Sequence, residues 1–220
     1  MKSFLIGAAT SNSGKTTFTM GLLRALRNCG LRVQPFKCGP DYIDTIFHHI
    51  ASGSESVNLD SFLSSEQHVR EIFSEYSAGA DIAVVEGVMG LFDGYDKWKG
   101  SSAEIALAIN APVILVVNAK SVAYSVAPLI YGFSRFNPRL KIAGVVFNNV
   151  ASLNHFSFLQ SACRDAGCEC LGYMTRIPEL EIPGRHLGLT ISEKENMERI
   201  ISIAAKEIEA HFDIDKLLAL

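Results

Sequence analysis

Long apolar stretches are missing from this sequence. No run is long enough to span a bilayer. The amino-terminal apolar segment, Phe4-Leu5-Ile6, passes directly into a Gly/Ser/Thr loop rather than a cleavage site. A membrane-spanning protein and a secretory leader are therefore both unexpected. Regular cysteine pairing is missing too. The five cysteines, Cys29, Cys38, Cys163, Cys168 and Cys170, are odd in number and follow no framework, which argues against a secreted disulfide scaffold. The last three lack the C-x-x-C pairs of a zinc site, so reduced structural thiols are expected. Charge of one sign is not in excess: 20 Lys and Arg face 23 Asp and Glu, for a net charge of −3 with no basic block. A nucleic-acid partner is not expected on that balance. There is no internal repeat and no low-complexity linker. What remains is the composition of a soluble cytoplasmic domain, 48% hydrophobic and 20% charged. Its 220 residues are enough for one substantial core.

What is present is alternation. Short apolar runs at residues 3–9, 31–37, 81–86, 113–118, 142–148 and 169–174 read as strands. Those apolar on both faces suit buried parallel strands. Helical patterns lie between and after them, at 16–29, 43–51, 66–76, 103–110, 122–136, 155–166 and 193–212. The alternation predicts an α/β fold: a doubly wound, mostly parallel sheet with helices on both faces and right-handed crossovers. Ligands of such folds bind beyond the carboxyl ends of the strands.

Three strand-end loops carry the chemistry. The first, Ser11-Asn12-Ser13-Gly14-Lys15-Thr16-Thr17, sits between a strand and a helix, where backbone amides converge on phosphate. Gly14 permits close backbone approach, Lys15 supplies a point charge for the β/γ-phosphates, and Thr16 offers a hydroxyl to Mg²⁺. The usual first glycine of this P-loop pattern is replaced by Ala9, with Gly7 two residues earlier. The loop alone implies ATP or GTP. The second loop runs Lys37-Cys38-Gly39-Pro40-Asp41-Tyr42-Ile43-Asp44. Pro40 can open a helix, and Asp41 and Asp44 are then expected on one face of its first turn as Mg²⁺ ligands, direct or through water. Lys37 is expected to meet a phosphate or a substrate carboxylate. The third loop follows Glu86, the expected acidic partner of Mg²⁺. Gly87, Gly90 and Gly94 there suggest backbone lying against a ligand or a mobile lid, and Asp93 is a further candidate. Metal ligation is expected from Thr16, Asp41 and Glu86.

These segments together resemble the synthetase domain of the cobyrinic acid a,c-diamide synthase family. The resemblance rests on Gly14-Lys15-Thr16-Thr17, on Phe36-Lys37-x-Gly39-Pro40-Asp41-Tyr42-x-Asp44, on Glu86-Gly87-Val88-Met89-Gly90-Leu91-x-Asp93-Gly94 and on Arg185-His186-Leu187-Gly188-Leu189. More widely the chain is similar to dethiobiotin synthetase and cobyric acid synthase. The resemblance implies a dethiobiotin synthetase-like P-loop fold over residues 1–220. It also implies an ATP- and Mg²⁺-dependent ligase that activates the a and c carboxylates of a corrin as acyl phosphates for attack by ammonia. It implies Lys15 on the phosphates, Lys37 and Asp93 near the corrin carboxylate or the phosphoryl group, Asp44 assisting Thr16, Asp41 and Glu86, and Asn148 at the adenine edge. The family usually continues into a glutaminase domain with a catalytic Cys and His. All five cysteines here lie in synthetase-like sequence, so that domain is expected to be absent from this chain, with ammonia coming from elsewhere. A homodimer is a fair expectation.

Two alternatives differ in class: a partition-type switch ATPase and a ligase acting on another acid. The switch proteins commonly carry a second lysine early in the P-loop, where this chain has Thr10 or Ser11. His48 and His49 are expected to be ordinary helix residues near the substrate cleft, and His186 a substrate or structural contact. Trp98, between Lys97 and Lys99, is a candidate cover for a flat anionic ligand, and Ser101 and Ser102 are candidate helix caps.

Overall fold

A computed structural model of the chain describes residues 1–180 and 191–220. The elements follow one another as β1 (Lys2–Ala8), α1 (Lys15–Asn28), β2 (Val33–Cys38), α2 (Ile43–Ser52), β3 (Val57–Leu59), α3 (Glu66–Tyr76), β4 (Ile82–Glu86) and α4 (Ser102–Ala108). The second half contributes β5 (Val113–Asn118), α5 (Val126–Phe136), β6 (Ile142–Val150), α6 (Leu153–Asp165), β7 (Cys170–Thr175), α7 (Ile191–His211) and α8 (Ile214–Ala219). A 3₁₀ turn, Pro178–Leu180, follows β7.

The strands form a seven-stranded sheet in the order β3-β2-β4-β1-β5-β6-β7, and every pairing between them is parallel. Sheets of this kind need both faces covered, and β4 and β5 are buried along almost their whole length. One face packs beneath α1, α2, α7 and α8, through Phe18, Leu22, Leu26, Phe47, Ile200, Ile208 and Leu217. The other packs beneath α3, α4, α5 and α6, through Phe73, Ile105, Ile130 and Leu159. Helix α1 is buried nearly all round because α7 crosses its outer side. At that crossing Gly21 admits the α7 backbone: a Cβ there would lie 2.8 Å from the Ala204 carbonyl oxygen.

The fold class and the alternation agree with the sequence reading, and β5 and α3 agree to the residue. Three features differ. Strand β3 is only three residues long and too short to show a period. Helix α5 begins at Val126 rather than 122, because residues 119–125 are taken up by successive turns around Ser121, whose φ is 61°. Helix α8 was not anticipated; six residues give little periodicity, although Asp213 caps it by accepting the Lys216 amide at 2.7 Å. Arg185, His186 and the residues through Leu189 lie outside the described residues.

Candidate nucleotide and acyl-transfer site

The central strand β1 has β4 on one side and β5 on the other, so the loops leaving β1, β2 and β4 emerge side by side. The loop after β1 is closed on itself. The Ser13 hydroxyl donates to the Thr10 carbonyl at 2.7 Å. Asn12 has φ 60° and Gly14 has φ 90°, the left-handed region that glycine tolerates best. A side chain at Gly14 would also collide with Asn148, whose amide nitrogen lies 2.1 Å from the Cβ position. Helix α1 then starts at Lys15 with no acidic residue in its first turn, which leaves its positive end available for an anion. Lys15 reaches across to the loop after β4 and donates to the Met89 carbonyl at 2.5 Å. Met89 is itself in the left-handed region at φ 49°, a costly conformation of the kind held at functional sites.

Beneath this loop lies a buried ionic network. Lys37 and Glu86 are direct neighbours in the β2–β4 register. The Lys37 ammonium donates to Asp44 at 2.7 Å, to Glu86 at 3.1 Å and to the Gly87 carbonyl at 3.2 Å. The Thr16 hydroxyl donates to Glu86 at 2.7 Å and approaches Asp44 at 3.5 Å. His48 Nε2 is 2.6 Å from the other Glu86 oxygen, and its Nδ1 is 3.1 Å from Ser56. Glu86 and His48 are both 0% exposed. Burial alone would push the Glu86 carboxyl up. The Lys37 charge, His48 and the Thr16 hydroxyl outweigh it and hold Glu86 well below the usual carboxylate range. Burial likewise opposes the Lys37 charge, but Glu86 and Asp44 keep its ammonium above the usual range. Asp44 is pushed up, by burial first and then by the Glu86 charge, against the pull of Lys37.

The second loop departs from expectation. Asp41 and Asp44 do not share a helical turn, because α2 starts only at Ile43. Asp41 stands ahead of it and accepts the Ile43 and Asp44 amides at 2.9 and 3.0 Å. Burial favours its neutral form, but those amides and Lys37 leave its carboxyl below the usual range. Asp44 is the carboxylate that meets Thr16. In the third loop Asp93 is exposed and accepts the Gly90 amide at 3.0 Å, while the Gly87 and Leu91 amides donate to Ile6 and Ala8 on β1. Ser101 caps α4 as expected, but Ser102 bonds both the amide and the carbonyl of Val88 instead.

The arrangement has counterparts. Residues 4–189 match the family described as the CobQ/CobB/MinD/ParA nucleotide binding domain. The chain belongs to that family. It is also 46% identical over 225 residues to a cobyrinate a,c-diamide synthase of Listeria monocytogenes serotype 4b (strain F2365), covering 100% of this chain and 50% of the relative. A hydrogenobyrinate a,c-diamide synthase of Brucella ovis is 43% identical over 219 residues, covering 99% of this chain and 50% of that protein. A cobyrinate a,c-diamide synthase of Picrophilus torridus is 44% identical over 222 residues, with the same coverage. The chain thus spans about half the length of the curated relatives it matches. In fold it is similar to chloroplast FtsY from Physcomitrella patens, with a TM-score of 0.55 at 14% identity over 91% of this chain and 65% of that one.

Membership of the CobQ/CobB/MinD/ParA family makes the P-loop a nucleotide site. Its donors suit a hard cation: a hydroxyl and carboxylates, all oxygen and almost dry. Among the described residues no three His, Cys, Asp or Glu side chains are placed to hold a metal alone, so the phosphates themselves would have to complete the shell. Asn148, at the end of β6, donates its amide to the Ser13 carbonyl at 3.1 Å. It borders a cavity of about 220 Å³ that also touches Thr17, Asn149, Thr175, Arg176 and Pro178. The sequence reading missed His48. Its expected place was an ordinary position near the cleft; instead it is buried against Glu86. A four-residue step from Asp44 to His48 puts both on one face of α2, and that spacing was the available signal.

Proposed function

We propose that this chain is the ATP-dependent, carboxylate-activating half of a cobyrinate or hydrogenobyrinate a,c-diamide synthase. The observation that carries the proposal is identity of 43–46% over essentially all 220 residues with enzymes of that name. It is supported by the meeting of Thr16, Lys37, Asp44 and Glu86 at the foot of the P-loop.

In this reading the P-loop amides and Lys15 hold the β- and γ-phosphates, and the cavity beside Asn148 takes the adenine. A carboxylate oxygen of the corrin attacks the γ-phosphorus, the bond to the bridging oxygen breaks, and ADP leaves. Ammonia adds to the acyl carbon, inorganic phosphate departs, and the nitrogen loses a proton to give the amide. Phosphoryl transfer of this kind depends on alignment and charge compensation. Thr16 and Glu86, with Asp44 and Asp41 beside them, would hold Mg²⁺, which neutralises phosphate charge when bound. Lys37 is enclosed by carboxylates, so its part is to keep Glu86 and Asp44 ionised and aimed. Asp93, by bonding Gly90, sets the loop that lies opposite Lys15. The reaction belongs to the cytoplasm, where ATP is available, and its ammonia comes from a glutaminase domain or subunit.

The test is phosphate release and amide formation by these 220 residues with ATP, Mg²⁺, cobyrinic acid and an ammonium salt. Turnover that requires corrin and ammonium supports the proposal, and glutamine in place of ammonium gives none. ATP hydrolysis stimulated only by another macromolecule, with no amide product, would favour a partition-type switch instead.

A further inference from the structure

A second hollow lies at the other half of the sheet, formed by β5, β6 and β7 and the turns that follow them. Its volume is about 650 Å³, a size that suits a small molecule. It borders the cavity beside Asn148, with Asn149, Thr175 and Arg176 as shared walls, but it does not include the P-loop. Its apolar lining comes from Val150, Leu153 and Tyr173. The Tyr173 ring is held in place: it packs against Phe156 at 4.3 Å, and His211 stacks on it at 4.7 Å with the planes 16° apart.

The charges around this hollow have one sign. Lys120 follows β5 and Arg176 follows β7, so they stand to either side of β6. Among the described residues no Asp or Glu joins the lining, and neither cation has an ion-pair partner. Both are exposed. Helix α6 starts at the same wall, through Ser152 and Leu153, with no acid in its first turn. Its positive end therefore adds to the two cations. His155 also borders the hollow, but its ring nitrogens are taken up by the Val122 carbonyl at 2.6 Å and the Ala151 amide at 3.2 Å. The turns carrying the cations are tied to one another. The Asn118 side-chain oxygen accepts the Lys120 amide at 3.0 Å and the Asn149 side-chain amide at 2.9 Å.

We propose that this hollow is a ligand site distinct from the nucleotide site, and that it takes a small organic anion. The apolar body of the ligand lies against Leu153 and Tyr173. Its carboxylate or phosphate meets Lys120, Arg176 and the start of α6, where charge-assisted hydrogen bonds hold it. An anion is favoured over a neutral molecule because two cations and a helix end face the space with no acid to offset them. The site stands whether or not the acid activated at the P-loop is a corrin.

The test titrates the Mg·ADP-saturated chain with benzoate and, separately, with phenyl phosphate, following backbone amide resonances by NMR. Bound ADP keeps the P-loop filled. Saturable shifts are expected at Ser121, Asn149, Leu153 and Arg176. Lys120→Ala and Arg176→Ala should each weaken binding by about tenfold, and Lys120→Arg should retain it. Both positions are exposed, so the variants are expected to fold. Benzamide, the same ring without charge, should give no saturable shift. Tighter binding of phenyl phosphate assigns the site to phosphate esters, and tighter binding of benzoate assigns it to carboxylates. Shifts centred on residues 11–17, a titration that does not saturate, equal binding of benzamide, or unchanged affinity in both alanine variants would each overturn the proposal.

Discussion

At the scale of single residues, the site is governed by how one carboxylate is held. Glu86 receives Lys37 and Thr16 on one oxygen and His48 on the other, so its orientation is fixed from three elements. Partners of this kind behind a ligating group typically set metal affinity by about 10–100-fold. His48→Ala should therefore weaken Mn²⁺ binding to the ADP-loaded chain by roughly that factor, measured by electron paramagnetic resonance. His48→Gln, which returns a nitrogen donor, should recover part of the loss. Unchanged Mn²⁺ affinity in the alanine variant would remove His48 from the site. Lys37 belongs to the same scale. Removing one partner of a buried ion pair commonly costs about 3–5 kcal/mol, so Lys37→Met should lower unfolding stability by that order in urea titrations. A loss below about 1 kcal/mol would mean that the network is compensated elsewhere. The sign with pH follows from the shifts. Glu86 is held below its ordinary value of 4.5, so its stabilising contribution is complete above that value and is lost as pH falls through the lower folded value. Asp44 is shifted the other way and costs stability above its ordinary range. The stability gap between wild type and Glu86→Gln should therefore be flat near neutrality and shrink under acid, as read from melting temperatures.

Elements show why some of this was legible and some was not. Strand β5 could be read because Val113 to Val117 are apolar on both faces, and α3 because Val69 and Phe73 are spaced to face one side. Strand β3 left no period to find. The pairing of Lys37 with Glu86 was beyond reach for a different reason: each stood out alone, but their contact depends on a β2–β4 register that neither strand encodes by itself. The same holds for His48, whose burial depends on where β4 ends. Asp41 illustrates a misplaced turn rather than a misplaced helix: the pattern at 43–51 starts where α2 does, but Pro40 does not open a helical turn that carries both aspartates. Its carboxylate caps α2 from outside, and Asp44, inside the helix, is the acid that approaches Thr16. Packing between elements also makes a prediction at Gly21. Alanine there should favour an isolated helix by about 1 kcal/mol, yet a Cβ would meet the Ala204 backbone at 2.8–2.9 Å. Gly21→Ala should destabilise the protein by about 1–3 kcal/mol in chemical denaturation. A more stable variant would mean that α1 and α7 can separate freely.

For the whole molecule, the parallel sheet gathers the P-loop, the ionic network and the cavity by Asn148 along one rim, while a cavity of about 510 Å³ bordered by Cys163, Cys168 and Cys170 opens where β7 begins. Among the described residues no helix is long and apolar enough to cross a membrane. The packing of α7 over α1 joins two segments that lie far apart along the chain. Phe18 stacks edge-on against Phe212 at 5.3 Å, and Leu22 and Leu26 share their core with Ile200, Ile201 and Ile208. A growing polypeptide therefore carries the helix that begins at Lys15 with its greasy outer side bare until α7 has been made. Nucleotide capture waits on that helix, and a ribosome-bound fragment ending before Ile200 holds the right loop sequence without the scaffold that shapes it.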